Sequence, residues 1–266
     1  MKNILTKILI SISDKVTRLN AISGYELMRI IDDEHELLTD DEKEALRKSV
    51  GENALEQIFH SIIGKDRLSV FSADMHVQIN HLGEIFYCPP THKYMPEEIN
   101  KAYKRMIKLR FPEIFQDIDD LVCNFMVKSG YKLSKTDSNI KHVHRTYSAL
   151  KDEFKVQVHI YPSIVFVDDG LKVFNESTED NIVIVPQEQS PAPFVNFIRE
   201  FPELTETGST LQIWVASPDK NTLSPFTGYP KDEEFWANLT NPRKSLQSAL
   251  MWSKGVIRSQ VLDGII

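Results

Sequence analysis

Three histidines and one aspartate in the second half of the chain are the residues best suited to bind a metal ion. They are His142, His144, His159 and Asp168. If residues 141–147 are extended, the first two imidazoles point to the same side, and a carboxylate from a neighbouring strand could complete a divalent transition-metal site. A water bound there would be acidified and could attack an ester or a phosphodiester. This pattern predicts a metal-dependent hydrolase, of the phosphodiesterase or nuclease kind, as an alternative function.

The same residues also have a simpler structural interpretation. His159 falls on the polar face of a predicted strand, and Asp168 stands at the start of a turn that ends at Gly170. The spacing matches no helical zinc-protease, deaminase or nuclease motif. A divalent metal is therefore expected only under the hydrolase hypothesis, and the cofactor is otherwise unknown.

Four basic residues recur at helical spacing after Pro96, and together they are called the basic stripe. They are Lys101, Lys104, Arg105 and Lys108. Steps of three and four residues return to one face of a helix, so the four charges share a face. Such a face could neutralise the phosphates of RNA or DNA, or it could bind an acidic partner. An ordinary solvated helix face has the same pattern.

Composition limits the classes of function. The chain has 266 residues, a formal net charge of -7, 41% hydrophobic and 26% charged residues. These values are typical of a folded protein that can bury a core. The negative net charge argues against a surface built throughout to hold nucleic acid, so a non-enzymatic nucleic-acid binder is the second alternative function.

The cysteines and the hydropathy pattern predict a cellular location. Only two cysteines are present, Cys88 and Cys123, which favours a reducing intracellular environment. No run of about 18 uncharged apolar residues occurs, so no membrane partner is expected. We predict a soluble, cytoplasmic protein.

The first half of the chain has mostly helical periodicity. Helices are predicted at 3–19, 25–38, from the N-cap Thr39, at 54–63, from Pro96 towards Leu109, and at 114–127, with a β-hairpin near 68–87. Pro112 is expected to separate the last two helices. This pattern predicts a mostly helical N-terminal region at 1–135.

The second half alternates strands with helices. Strands are predicted at 156–160, 164–167, 171–174, 182–185 and 211–215, and helices at 194–201 and 245–262. The first three strands would form an antiparallel meander, whereas strand, helix and strand at 182–215 indicate a parallel crossover. The fold class expected is mixed α/β, with α+β as the alternative, and a C-terminal mixed β-sheet domain with flanking helices at 142–266.

The sequence shows several amphipathic faces but no compact set of catalytic residues. Whether the chain is an enzyme stays open. We expect binding rather than catalysis, with the chain acting as an intracellular interaction or accessory subunit of a protein assembly. The acidic N-terminal helices, the basic stripe or the apolar end Ile265–Ile266 would join a protein partner or mediate self-assembly. Trp236 and Trp252 could serve a core or an interface.

Overall fold

The computed structural model describes residues 4–63, 77–205, 211–228 and 232–239. The chain forms two compact units, which divide between Leu109 and Arg110. The polar segment at which the sequence predicts a division, residues 134–141, lies inside the second unit, where it covers the end of one strand and the connection to the next. The predicted helix at 245–262, Trp252 and the apolar end Ile265–Ile266 lie outside the described residues, as does the side chain of Trp236.

The first unit contains helices and a small antiparallel sheet. Its elements are α1 (Ile4–Val16), β1 (Ile22–Ser23), α2 (Gly24–Glu36), α3 (Asp40–Val50), α4 (Ala54–Ile62), β2 (Val77–His81), β3 (Glu84–Cys88) and the first part of α5 (Pro96–Lys128). The strand order is β1-β3-β2. β2 and β3 turn through Leu82 and Gly83, which have φ values of 53° and 87°. This two-residue turn confirms the described part of the predicted hairpin.

The predicted helices of the first unit are confirmed, and their ends follow from local chemistry. The apolar stripe of α1, which includes Ile8, Ile12 and Val16, is buried in the core of the unit. α3 begins with a capping box, in which the Thr39 hydroxyl accepts from the backbone N–H of Glu42 and the Glu42 side chain accepts from the backbone N–H of Thr39. Reciprocal capping of this kind satisfies two backbone donors that the helix leaves open.

The prediction of two helices separated by Pro112 is wrong, because α5 is a single helix of 33 residues. Proline removes one intrahelical hydrogen bond and costs about 3 kcal/mol in a helix interior. Burial on both sides of the proline outweighs this cost, since Ile107 and Phe111 are each 3% exposed and Ile118 is fully buried. The carbonyl of Leu109, three residues before Pro112, accepts a hydrogen bond from the guanidinium of Arg29.

The second unit is built on a six-stranded mixed sheet. Its elements after α5 are β4 (Lys132–Thr136), β5 (Arg145–Lys151), β6 (Phe154–Ile160), α6 (Leu171–Glu176), β7 (Asp180–Pro186), α7 (Ala192–Glu200), β8 (Leu211–Ser217), β9 (Thr222–Thr227) and α8 (Glu233–Asn238). The strands lie in chain order across the sheet. β4, β5 and β6 are antiparallel neighbours, β6, β7 and β8 are parallel, and β9 is antiparallel to β8.

The predicted meander is misplaced along the chain. It is formed by β4, β5 and β6, whereas residues Ile164–Gly170 form a 3-10 helix and Leu171–Glu176 form α6. The buried residues Phe166, Val167, Leu171 and Phe174 are spaced by one, four and three positions, which suits a helical face better than alternating strands. The hydroxyl of the preceding residue, Ser163, accepts from the N–H of Val165 and caps this segment.

The mixed α/β class and the parallel crossover are confirmed. β7, α7 and β8 follow one another as strand, helix and parallel strand. Side chains of α5 and one face of the sheet form the core, with Trp214 fully buried against Phe125 and Phe235. Within the described parts of the chain, no helix is long and apolar enough to cross a membrane.

Candidate functional site

The carboxyl ends of the parallel strands lie along the same edge of the six-stranded sheet. β6 ends at Ile160, β7 at Pro186 and β8 at Ser217. The segment before β5 reaches the same edge, because Arg145 pairs with Ile160 in antiparallel register. Open α/β sheets bind ligands outside this edge. The connections here, called the carboxyl edge below, are therefore the candidate functional site.

The first cluster at the carboxyl edge is an ion-paired group around Asp169. Lys141 Nζ lies 3.4 Å from the Asp169 carboxylate, and His142 Nε2 lies 3.3 Å from it. The His142 ring also packs against Phe166, with ring centroids 4.8 Å apart. The neighbouring Asp168 makes a local contact, in which its Oδ1 accepts from the backbone N–H of Asp169 at 2.9 Å.

His142 does not have the extended backbone that the metal hypothesis assumes. Its φ is 65°, in the left-handed region that is unfavourable for residues other than glycine. The strand begins only at Arg145. Ring contact with Phe166 and the ion pair with Asp169 hold the imidazole in this strained position.

A second cluster lies between α5 and the start of β5. The Tyr147 hydroxyl donates to Asp119 Oδ1 at 2.6 Å, and Arg145 Nη1 lies 3.6 Å from Asp119 Oδ2. The His144 ring packs against Phe115, with centroids 4.1 Å apart. This partial burial lowers the pKa of His144, and the positive charge of Arg145 lowers it further. Because Asp119 and Tyr147 are both buried, this cluster ties the helix to the sheet.

His159 lies inside the sheet, in a completed hydrogen-bond network. Its Nδ1 is 3.2 Å from the Thr146 hydroxyl, and its Nε2 is 3.2 Å from Asn181 Oδ1. The Asn181 amide nitrogen donates to a backbone carbonyl, so its oxygen faces the imidazole and His159 carries its proton on Nε2. Burial lowers the pKa of His159, so the ring is neutral and structural at neutral pH.

Tyr161, directly after β6, carries a buried hydroxyl. The residue is fully buried, and among the described residues its hydroxyl has no hydrogen-bond partner. A Cβ on Gly170 would lie only 2.3 Å from this oxygen, so the hydroxyl sits against the backbone that follows Asp169. Burial raises the pKa of Tyr161, and the negative charges of Asp169 and Asp168 raise it further.

The ends of β7 and β8 contribute a third group. Ser217 Oγ donates to Gln187 Oε1, and Lys220 Nζ lies 3.4 Å from the same oxygen. Beside them, the buried carboxylate of Glu188 is 4.0 Å from Arg110 Nη2. The loop after β8 is therefore linked to the end of β7.

The four predicted metal ligands lie in different surroundings. His142 contacts Asp169, His144 packs on aromatic rings, His159 bonds within the sheet, and Asp168 accepts from the backbone. In the described segments, no group of three or more histidine, cysteine or acidic side chains is placed to hold a metal ion. Metal binding by these residues stays a prediction.

The four residues of the basic stripe, in the first unit, make different contacts. Arg105 points inward, where it donates to the buried carboxylate of Glu26 and to a backbone carbonyl. Lys101 pairs with Glu98 at 2.6 Å on the exposed surface. Lys104 and Lys108 are also exposed. Binding of nucleic acid or of a partner by the stripe stays a prediction, but one of its four charges supports the fold.

Tyr161 is the site residue that reasoning from the sequence does not single out, whereas Asp169 directly follows the candidate ligand Asp168. Tyr161 follows a predicted buried strand directly, and that position places it at the carboxyl edge. The ion pair between Asp169 and His142 had no such signal, because it depends on the 3-10 helix and on a left-handed residue.

The comparison with known proteins concerns mainly the second unit. A family model described as "Domain of unknown function (DUF6834), C-terminal domain" matches residues 105–241. Among curated proteins, none matches the chain. The matched range begins close to Arg110, where the second unit starts, and it covers just over half of the 266 residues. The chain therefore belongs to the family of the DUF6834 C-terminal domain.

Proposed function

We propose that the chain is a non-catalytic interaction or accessory subunit of a protein assembly, and that the second unit binds its partner at the carboxyl edge. One observation carries this proposal. Lys141 and His142, from the connection before β5, reach across to Asp169, from the connection after β6. Charged side chains from separate connections thus form one accessible cluster at the edge where open sheets bind ligands.

The contacts of the other polar groups support binding rather than catalysis. His159 is held between Thr146 and Asn181, and Asp119 is held by Tyr147. These buried groups fix the sheet and α5. The accessible side chains of Lys141 and Asp169 are ion-paired, and such charges set the specificity and register of a protein contact more than its raw affinity.

Charge reversal at the carboxyl edge tests the proposal. The full chain, purified without chelator, is measured by native mass spectrometry as wild type, as Lys141→Glu with Lys220→Glu, and as Lys132→Glu. Lys132 is an exposed residue of β4 and serves as the matched control. We expect a defined oligomer or a retained protein partner in the wild type and in the control, and its loss in the edge variant.

Three outcomes would contradict the proposal. One is a bare monomer mass for the wild type at micromolar concentration. Another is an assembly that survives the edge variant as well as the control variant. The third is an adduct of metal mass that disappears in His144→Ala, which would favour the hydrolase.

A further inference from the structure

The carboxylate of Asp169 lies against the ammonium group of Lys141 and the imidazole of His142. Lys141 Nζ is 3.4 Å from both carboxylate oxygens, and His142 Nε2 is 3.3 Å from one of them. The Asp169 side chain is 30% exposed, so the cluster opens to solvent. An internal anion therefore lies against the side-chain nitrogen atoms of two adjacent residues of one connection.

The position of the His142 ring is fixed although its backbone is strained. A φ of 65° is rare for residues with a side chain, and such strain concentrates at binding and catalytic sites. The ring lies against Phe166 on one side and contacts Asp169. The imidazole N–H is therefore held in place as a donor to an anion.

Beneath the cluster lies a third donor that lacks an acceptor. The hydroxyl of Tyr161 is fully buried and has no hydrogen-bond partner among the described residues. It touches the backbone at Gly170, one position after Asp169. Buried hydroxyls are nearly always satisfied, and an exception in a native fold calls for an explanation such as a ligand.

We propose that Lys141, His142 and Tyr161 form a receptor for an oxyanion, the carboxylate or phosphate group of a ligand, and that Asp169 fills this receptor in the ligand-free chain. The inference rests on the proposed function, because it names the chemical group that the carboxyl edge accepts. Charge-assisted hydrogen bonds from lysine and imidazolium to oxyanions are strong and directional.

Ligand binding at this receptor is an exchange of anions. The incoming oxyanion displaces the Asp169 carboxylate from Lys141 and His142. Asp169 stands near the end of the 3-10 helix Ile164–Gly170 and is exposed, so it can turn towards solvent. Movement of residues 168–170 then gives the Tyr161 hydroxyl an acceptor on the ligand. The internal carboxylate weakens binding of every competing anion, and its removal should strengthen binding.

Titration with inorganic phosphate and, separately, with acetate tests the proposal. The full chain carries isotope-labelled histidine, and the His142 ring signals, assigned with His142→Asn, are followed by NMR at constant ionic strength and about pH 6, where an ordinary imidazole is mostly protonated. We expect weak binding by the wild type and at least about tenfold tighter binding by Asp169→Asn. The two anions distinguish a phosphate ligand from a carboxylate ligand.

Three further variants make the result specific. Lys141→Ala should abolish the His142 shift, and Tyr161→Phe should weaken binding without lowering the thermal midpoint, because the lost hydroxyl has no partner. Asp117→Asn, at an exposed aspartate of α5, should leave binding unchanged.

Equal affinities in wild type and Asp169→Asn, or equal shifts of all histidines, would overturn the oxyanion receptor. If the Lys141→Glu and Lys220→Glu changes still dissolve the assembly in that case, the proposed function stands and only the ligand class is wrong.

Discussion

Replacement of Arg105 by alanine should destabilise the first unit more than alanine replacement of any other residue in the basic stripe. The guanidinium donates to both oxygens of Glu26, at 2.5 and 2.9 Å, and to the carbonyl of Ala21 at 2.6 Å. Glu26 is 5% exposed. Arg105→Ala therefore leaves a buried carboxylate without its bidentate partner.

The expected loss follows from the burial of the two partners. Breaking a fully buried pair costs about 3–5 kcal/mol. The Arg105 side chain is 35% exposed, so solvent screens part of this penalty, and we expect a loss of about 2–3 kcal/mol in the free energy of unfolding. Most of the loss comes from the stranded carboxylate. The double variant Arg105→Ala with Glu26→Gln should therefore lose less than the two single variants added together.

Urea unfolding followed by far-ultraviolet circular dichroism is the appropriate assay. All three tryptophans lie after residue 110, so tryptophan fluorescence reports on the first unit poorly. Lys101→Ala is the matched control, because Lys101 pairs with Glu98 on the exposed surface and its loss should leave the midpoint unchanged. An unchanged midpoint in Arg105→Ala, together with weaker binding of a nucleic acid or a partner, would refute the reasoning and restore Arg105 to a binding surface.

Three other predictions concern the second unit and can be followed by Trp214 fluorescence. Asp232→Ala should cost about 2 kcal/mol, since it removes the N-cap of α8 and the acceptor of a buried tyrosine hydroxyl; no shift of the urea midpoint would contradict this. Burial lowers the pKa of His159, so the stability that this residue contributes is complete above about pH 6.5 and falls as the pH decreases. His159→Gln should therefore make the free energy of unfolding depend less on pH in this range. An equal dependence on pH in the variant and the wild type would contradict the prediction. Gly170→Ala should cost about 1–3 kcal/mol, because its Cβ would lie 2.3 Å from the Tyr161 hydroxyl, and Tyr161→Phe in the same chain should recover part of the loss; a midpoint equal to wild type would contradict the packing.

Elements with a clear period or a clear boundary residue could be predicted from the sequence. Three features could be predicted because each depends on residues that are close in the chain. They are the apolar stripe of α1, the cap at Thr39, and the order of β7, α7 and β8. The mixed sheet was predicted from that order together with an antiparallel meander, which the structure forms from β4, β5 and β6 instead.

Local signals failed where tertiary packing opposed them. Pro112 predicts a break, yet the apolar residues on both sides continue one buried face, and packing exceeds the local penalty. Residues 164–174 contain β-branched and aromatic residues typical of strands, but their buried positions follow a helical spacing and Ser163 caps the segment. The second error comes from a short apolar pattern that is compatible with either structure.

Part of the candidate site could be predicted from the sequence. The sequence indicated His142 and Asp168 as members of one site, and the structure places His142 beside Asp169, one residue further along the chain. The contact depends on a left-handed φ at His142 and on a 3-10 helix, and neither has a reliable sequence pattern. His159 was indicated for its chemistry, but its two sheet neighbours use both of its ring nitrogens.

Hydrogen–deuterium exchange tests most directly the claim that the carboxyl edge is the binding surface. The assembled wild-type chain is compared with the dissociated Lys141→Glu and Lys220→Glu variant, region by region. The account predicts that assembly slows exchange at residues 137–144, 161–170 and 218–221, and leaves α2 and α3 unchanged. Slower exchange confined to α2 and α3, with no change at the three edge segments, would contradict it.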